Sequence, residues 1–185
     1  MEPLADFEKL QSNDPKVKYG YAKELVRIAS EEPGSLYPHF DNWVELMSSH
    51  HQILQWTAID IIGYLSGVDS ENRIGKPIVE NLIRILHGGI LIPCNHAIFS
   101  LGLIAKNKPE YRKRILAEFL TVPNDTFKTE ECKNIATGKI LDALKPFAEE
   151  IKNDTAFIRF IEKASANARK STQKRADQLR KKIKK

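Results

Sequence analysis

The chain has 185 residues, of which 42% are apolar and 29% are charged, a balance typical of globular proteins and unlike disordered, collagenous or membrane-spanning chains. Its net charge of +5 is unevenly distributed, because residues 164–185 hold nine Lys or Arg and one acid, which leaves 20 bases and 23 acids in residues 1–163. The body is therefore mildly acidic, and these counts do not indicate a general basic surface for nucleic acid.

The beginning of the chain is acidic and lacks the apolar run of an export signal. No apolar segment approaches the roughly 18 residues that a membrane-spanning helix needs. Two cysteines, Cys94 and Cys132, are too few for a disulfide scaffold and too far apart for a CxxC motif, so both are expected to be buried free thiols. Together these features predict a cytoplasmic chain that is neither exported nor embedded in a membrane.

Apolar residues at helical spacing run through nearly the whole chain, whereas strand signals are scarce. Residues 2–11 are predicted to form a short leading helix. Asp14-Pro15 then supplies an N-cap and a proline at the first helical position, and Lys108-Pro109 begins a later helix. Glycines placed to end predicted helices are Gly34, Gly67 and Gly88-Gly89. The pattern predicts an all-α fold of about ten helices.

Alanines that begin the strongest apolar stripes recur at a nearly constant interval. The intervals are 36, 39, 39 and 40 residues, between Ala22, Ala58, Ala97, Ala136 and Ala176. An amphipathic segment precedes each of the last four stripes, in residues 36–47, 74–86, 111–120 and 151–161. Each unit is therefore predicted to be a helical hairpin, and hairpins of this kind must stack because one alone cannot bury its apolar faces. Gly63 and Gly102 hold the same position in successive units, where a missing side chain allows close helix packing.

Paired helices with a period near 40 residues resemble the HEAT and armadillo repeat families. The run Asp14-Pro15-Lys16-Val17-Lys18, followed by Ala22, is similar to the Asp-Pro-x-Val-Arg segment in the second helix of a HEAT unit, with Lys in place of Arg and one extra residue before the alanine. Later units keep the apolar stripe but lack this segment. The resemblance covers residues 12–185 and implies one domain over residues 1–185, a right-handed α-α superhelix of about five hairpins whose second helices line the concave side.

On the second helices, the positions two residues before and two residues after the repeat alanine lie on one helix face, and most of them carry polar or aromatic side chains. The binding residues predicted from these positions are Trp56, Asp60, Asn95, Phe99 and Asn134, with His96 at the edge. The arrangement is similar to the Trp and Asn ladder with which armadillo proteins hold an extended peptide, which implies a protein or peptide partner. The structural alternative is a solvated inner face with Trp56 and Phe99 partly buried.

Residues 167–185 form a strongly basic end. The cations assigned to this basic patch are Lys174, Arg175, Arg180, Lys181, Lys182, Lys184 and Lys185. Ala176, Leu179 and Ile183 continue the apolar stripe of a fifth unit, which predicts a capping helix with a polar outer face. Binding of nucleic acid, an anionic membrane or an acidic partner is compatible with such a cap.

Motifs for catalysis and for metal binding are not found in the sequence. The histidines, His39, His50, His51, His87 and His96, have no HExxH spacing, and phosphate-binding loops and GxSxG are absent. We therefore predict a monomeric, non-catalytic scaffold, without metal or cofactor, that binds a protein or peptide. The alternative is nucleic-acid binding, either through the basic end or as in the HEAT-like alkylpurine DNA glycosylases, whose aromatic and Asp pair Trp56 and Asp60 could imitate.

Overall fold

The computed structural model describes residues 6–184, in which eleven α-helices and no β-strand occur. The helices are α1 (Phe7–Gln11), α2 (Pro15–Glu31), α3 (Phe40–Leu46), α4 (Gln52–Leu65), α5 (Lys76–Leu86), α6 (Leu91–Asn107), α7 (Pro109–Thr121), α8 (Glu130–Leu144), α9 (Ala148–Ile151), α10 (Thr155–Ser165) and α11 (Lys170–Ile183). The predicted all-α fold is confirmed. Of the predicted leading helix, residues 7–11 are helical, and residues 2–5 lie outside the described residues.

The helices form two layers. Helices α2, α4, α6, α8 and α11 contact one another in succession, and α3, α5, α7 and α10 pack on the outer side of this row. The repeat alanines Ala22, Ala58, Ala97, Ala136 and Ala176 are all buried, one on each helix of the inner row. Apolar side chains of both layers form a continuous core, as expected for stacked hairpins. None of the described helices combines the length and the apolar character needed to cross a bilayer.

Side-chain caps fix the starts of several helices. The Asp14 carboxylate accepts a hydrogen bond from the Lys16 N–H at 2.8 Å, and Pro15 begins α2, as the sequence predicts. Thr129 caps α8 through the Cys132 N–H at 3.2 Å. These local signals explain where the inner helices α2 and α8 begin.

Two of the outer helices, α3 and α10, begin later than predicted. Residues 36–47 contain a 3₁₀ turn at Tyr37–His39, and α3 begins only at Phe40, because the residue before Pro38 disfavours the α conformation. Residues 151–161 do not form one helix, since Asp154 is extended and caps a new helix, α10, through the Ala156 N–H at 2.8 Å. The basic helix α11 begins at Lys170 rather than at residue 167.

Two glycines allow the inner helices to approach closely. A Cβ atom on Gly63 of α4 would lie 2.8 Å from the Ser100 Cα atom on α6. One on Gly102 of α6 would lie 3.3 Å from the Ala143 Cβ atom on α8. The prediction that these positions serve close helix packing is confirmed.

Gly63→Ala is therefore expected to lower the free energy of unfolding by about 1–3 kcal/mol, although alanine favours the helix by about 1 kcal/mol. Gly20→Ala is the matched control, because Gly20 lies inside α2 with no atom within 4 Å of the new Cβ, and should stabilise the protein. Urea unfolding followed by circular dichroism measures both effects. Stabilisation by both substitutions would show that α4 and α6 are not packed this closely.

A buried ion pair connects the turns of successive repeats. The Lys108 ammonium lies 2.8 Å from the Asp69 carboxylate, and the two side chains are 8% and 0% exposed. Asp69 also accepts hydrogen bonds from the Tyr37 hydroxyl at 2.7 Å and from the N–H groups of Arg73 and Ile74 at 2.9 and 3.0 Å. Burial acts to raise the pKa of Asp69, but the hydrogen bonds from Lys108, Tyr37 and the two backbone groups outweigh it and lower this pKa to about 2.

Candidate binding groove

A groove runs across the inner helices α2, α4, α6 and α8, with a volume of about 630 Å³. Its walls include Tyr64 on α4, Phe99 and Leu103 on α6, and Ala143 on α8. A volume of this size accommodates several side chains of a bound segment or one small molecule. The groove is thus built by the surface that successive second helices share.

The lining of the groove reveals the true register of the fourth repeat. Residues that line the groove on α6 and α8 recur 40 positions apart, in the pairs Phe99 and Lys139, Gly102 and Asp142, Leu103 and Ala143, and Lys106 and Pro146. Ala97 and Ala136 are 39 residues apart, so the register predicted from the alanines is wrong by one residue at α8, where Thr137 rather than Ala136 corresponds to Ala97. Ala136 and Thr137 are both buried, so the apolar stripe alone does not distinguish the two registers.

Four of the six predicted binding residues line the groove: Asp60, Asn95, His96 and Phe99. Trp56 and Asn134 do not. Asn134 lines a separate cavity of about 210 Å³ between α8 and α10, and its Oδ1 atom accepts a hydrogen bond from the Asn167 Nδ2 atom at 2.8 Å. Asn134 lies outside the groove because the predicted register is wrong by one residue at α8. Ile135, not Asn134, holds the position on α8 that corresponds to Asn95.

The asparagine ladder predicted from the sequence is consequently not assembled. Asn134 already uses its side-chain oxygen, and the Asn95 Oδ1 atom is buried without a hydrogen-bond partner among the described residues. Neither oxygen is available to the backbone of a ligand in this arrangement. Most of the other residues that line the groove are apolar or charged.

His96 is held by residues of the preceding repeat. Its Nδ1 atom lies 2.8 Å from the Asp60 Oδ1 atom, and its ring stacks on the Trp56 ring with centroids 5.6 Å apart and planes 8° apart. The Trp56 Nε1 atom is buried. Trp56 thus supports His96, and Asp60 is engaged by the imidazole, so these two residues do not form a free aromatic and acid pair of the glycosylase kind.

The charged groups of the groove differ in whether they are paired. Asp142 lies 2.7 Å from the Lys145 ammonium and 2.9 Å from the Arg175 guanidinium. Lys106 and Lys139 are exposed, and neither takes part in an ion pair among residues 6–184. Both acids of the groove therefore have close polar partners within the protein, Asp60 in His96 and Asp142 in two cations, whereas Lys106 and Lys139 have none among the described residues.

Helix α11 is docked on α8 by polar contacts. The Thr172 hydroxyl donates a hydrogen bond to the Asn134 carbonyl oxygen at 2.8 Å, and Arg175 contacts Asp142. Arg169, which precedes α11, forms an ion pair with Glu131. Part of the positive charge of this end therefore serves helix packing.

The predicted basic patch is divided by these contacts. Arg175 pairs with Asp142, Arg180 pairs with Asp177 at 3.0 Å, and the Lys182 ammonium donates to the Lys145 carbonyl oxygen at 2.8 Å. The exposed lysines of this end with neither an ion pair nor a side-chain hydrogen bond among residues 6–184 are Lys170, Lys174, Lys181 and Lys184. Lys170 was absent from the predicted patch, and Lys185 lies outside the described residues.

The two cysteines are free thiols. Burial raises the pKa of Cys94 to about 12, with a smaller contribution from the negative charge of Asp125, so this thiol is unreactive at neutral pH. Cys132 is only half-buried, contrary to expectation, because it lies in the exposed first turn of α8.

Comparisons with known proteins identify the fold. No protein-family model and no curated protein matches the sequence. A designed armadillo repeat protein in complex with the peptide (KR)4 is similar in structure, with a TM-score of 0.63 and 15% sequence identity over 95% of this chain and 79% of that one. An engineered protein gives a TM-score of 0.61 and 19% identity over 96% and 77% of the two chains, and a second designed armadillo repeat protein gives 0.56 and 14% over 95% and 79%.

The structure is therefore an α-α superhelix of the armadillo and HEAT-like type, as the repeat period predicts. Sequence identities this low establish the fold alone. The residues of the groove have to be interpreted from their own chemistry.

Proposed function

We propose that this chain is a non-catalytic scaffold of the cytoplasm that binds an extended segment of another protein in its groove. One observation carries the proposal: Phe99 and Ile92, two large apolar residues that line the groove, are 38% and 47% exposed. Exposed apolar side chains collected in a concave surface are typical of sites that bind a partner. The two free cysteines fit a reducing compartment.

The repeat geometry favours an extended ligand. Neighbouring inner helices present equivalent positions, such as Tyr64 on α4 and Leu103 on α6, about 10 Å apart. This step equals about three residues of extended chain, so one segment can meet several helices in turn. The structurally similar designed protein that is complexed with (KR)4 provides a precedent for peptide binding by this fold.

A second candidate function is binding of duplex nucleic acid through α11. Lys170, Lys174 and Lys181 lie on one face of this helix, and they are exposed without ion pairs among the described residues. Cations in such a row can contact successive phosphates. The outer face carries no exposed aromatic residue on which single-stranded bases could stack.

A displayed library of random peptides, selected on the wild-type protein, tests the groove. The double substitution Ile92→Ser, Phe99→Ser should weaken the selected peptides by more than about tenfold, because it removes two apolar contacts. The matched control is Val17→Ser, Tyr19→Ser, since these residues of α2 are similarly exposed, at 43% and 48%, and do not line the groove. The control should leave affinity unchanged.

Equal binding by the groove variant and the control variant would contradict the proposal. The nucleic-acid alternative is tested on the same proteins with a duplex of mixed sequence. Duplex binding that falls steeply with salt, and that is lost when Lys170, Lys174 and Lys181 are replaced by glutamine, would favour α11 as the functional surface.

A further inference from the structure

The unpaired charges of the groove indicate which segments it would select. Lys106 on α6 and Lys139 on α8 line the groove, are exposed and form no ion pair among residues 6–184. The groove acids differ, because Asp60 is engaged by His96 and Asp142 by Lys145 and Arg175. A ligand therefore meets a groove whose available charge is positive, although the body of the chain is mildly acidic.

The two lysines stand close to the exposed apolar residues. Lys106 follows Phe99 by seven residues on α6, a rise of about 10 Å along the helix. Lys139 on α8 occupies the position equivalent to that of Phe99 on α6. Because neighbouring packed helices lie about 10 Å apart, Lys139 and Phe99 are also separated by about 10 Å. An extended chain covers each of these distances in about three residues.

We infer that the groove selects an extended protein segment in which a large apolar side chain is flanked, within about three residues, by aspartate or glutamate. This inference rests on the proposed function and adds the chemistry of the partner. The apolar side chain contacts Phe99, Ile92 and Leu103, and the carboxylates pair with Lys106 and Lys139. Basic segments are disfavoured, because their charges would face two lysines that have no ion-pair partner among the described residues.

The specificity of this groove then differs from that of the similar designed repeat protein, which is complexed with the basic peptide (KR)4. The shared fold does not determine the partner, because the charged side chains on the groove surface belong to each sequence. In this chain, Asp142 is paired with two cations of the protein and Asp60 is hydrogen-bonded to His96, so a basic peptide would have to compete with these contacts.

Peptides enriched from the random library on wild-type protein test the inference directly. They should carry Asp or Glu near Phe, Leu, Ile or Trp, and they should bind less tightly as salt is raised. Lys106→Gln, Lys139→Gln should weaken them about five- to tenfold and reduce the salt dependence. The matched control Lys76→Gln, Lys113→Gln removes the same charge from exposed lysines of the outer helices α5 and α7, which do not line the groove and form no ion pair among the described residues, and should change affinity less than about twofold.

The outcomes separate this inference from the proposed function. Enrichment of basic or uncharged peptides, or wild-type affinity in the Lys106 and Lys139 variant, would overturn the acidic selectivity, while the loss caused by Ile92→Ser, Phe99→Ser would still support groove binding. Unchanged peptide affinity in the Ile92→Ser, Phe99→Ser variant would overturn both the inference and the proposed function. Self-association of the peptide-free protein, abolished by Ile92→Ser, Phe99→Ser in sedimentation, would assign the groove to a second copy of the chain and also overturn the inference.

Discussion

Replacing Ala58 by aspartate is expected to unfold much of the protein at room temperature. Ala58 is fully buried on α4, which contacts α2 on one side and α6 on the other, so the new carboxylate would have neither water nor a counter-charge. The expected cost exceeds about 4 kcal/mol, a large part of the 5–15 kcal/mol by which typical domains are stable. Circular dichroism should show loss of helix or a much lower midpoint of urea unfolding.

Ala117→Asp provides the control, because Ala117 lies inside α7 but is exposed. Its effect should stay within about 0.5 kcal/mol, as for most surface substitutions. A small effect at Ala58, comparable with that at Ala117, would mean that the inner helices are not stacked through the repeat alanines.

The second large effect concerns the buried ion pair of Asp69 and Lys108. Asp69→Asn should lower the free energy of unfolding by about 3–5 kcal/mol at neutral pH, because it leaves the Lys108 ammonium buried without a counter-charge. Lys108→Met should have a similar cost for the reverse reason. The double substitution should cost less than the sum of the two, which a double-mutant cycle measures directly.

The pKa of Asp69 gives this effect a defined pH dependence. Folding lowers the pKa from an ordinary 3.8 to about 2, so the stabilisation is complete above about pH 4 and is lost as the pH falls through about 2. The stability difference between the wild-type protein and Asp69→Asn should therefore narrow by about 2 kcal/mol over that interval. A difference that stays constant between pH 4 and pH 2 would show that the carboxylate is not held in this network.

A surface ion pair serves as the comparison. Arg27 and Glu24 on α2 form an ion pair in which both side chains are about half exposed, at 53% and 46%. Arg27→Gln should cost less than about 1 kcal/mol, because solvent screens this contact. An equal cost at Arg27 and Lys108 would argue against the burial of the Asp69 contact.

The fold follows from local sequence signals to a large extent. The repeat alanines, the Asp14 cap and Gly63 act through helix geometry or through the contact of neighbouring helices, so their spacing in the sequence determines their placement. The starts of α3 and α10 were harder to predict. Pro38 and Asp154 interrupt apolar stripes that otherwise continue at helical spacing.

The groove was predictable only in part. Asp60, Asn95, His96 and Phe99 were found because their distances from the repeat alanines are correct on α4 and α6. Tyr64 and Leu103, which follow Ala58 and Ala97 by six residues, also line the groove. Comparison of the repeats at this position would have predicted them as two further wall residues.

Register and charge pairing could not be read from the repeat pattern. Equivalent positions on α6 and α8 are 40 residues apart rather than 39, so Asn134 was wrongly predicted to line the groove and Lys139 was not predicted to do so. The apolar stripe fits either interval, because the adjacent residues Ala136 and Thr137 are both buried. Pairing of Asp142 with Arg175 depends on how α11 docks, which no local pattern encodes.

The central claim is that the surface shared by α4, α6 and α8 binds an acidic, extended segment. Titration of isotope-labelled protein with one enriched peptide, followed by backbone amide NMR shifts, tests this most directly. The account predicts shifts concentrated around Tyr64, Phe99, Lys106 and Lys139, with little change on α11. Shifts confined to the outer face of α11, with the groove unaffected, would contradict it.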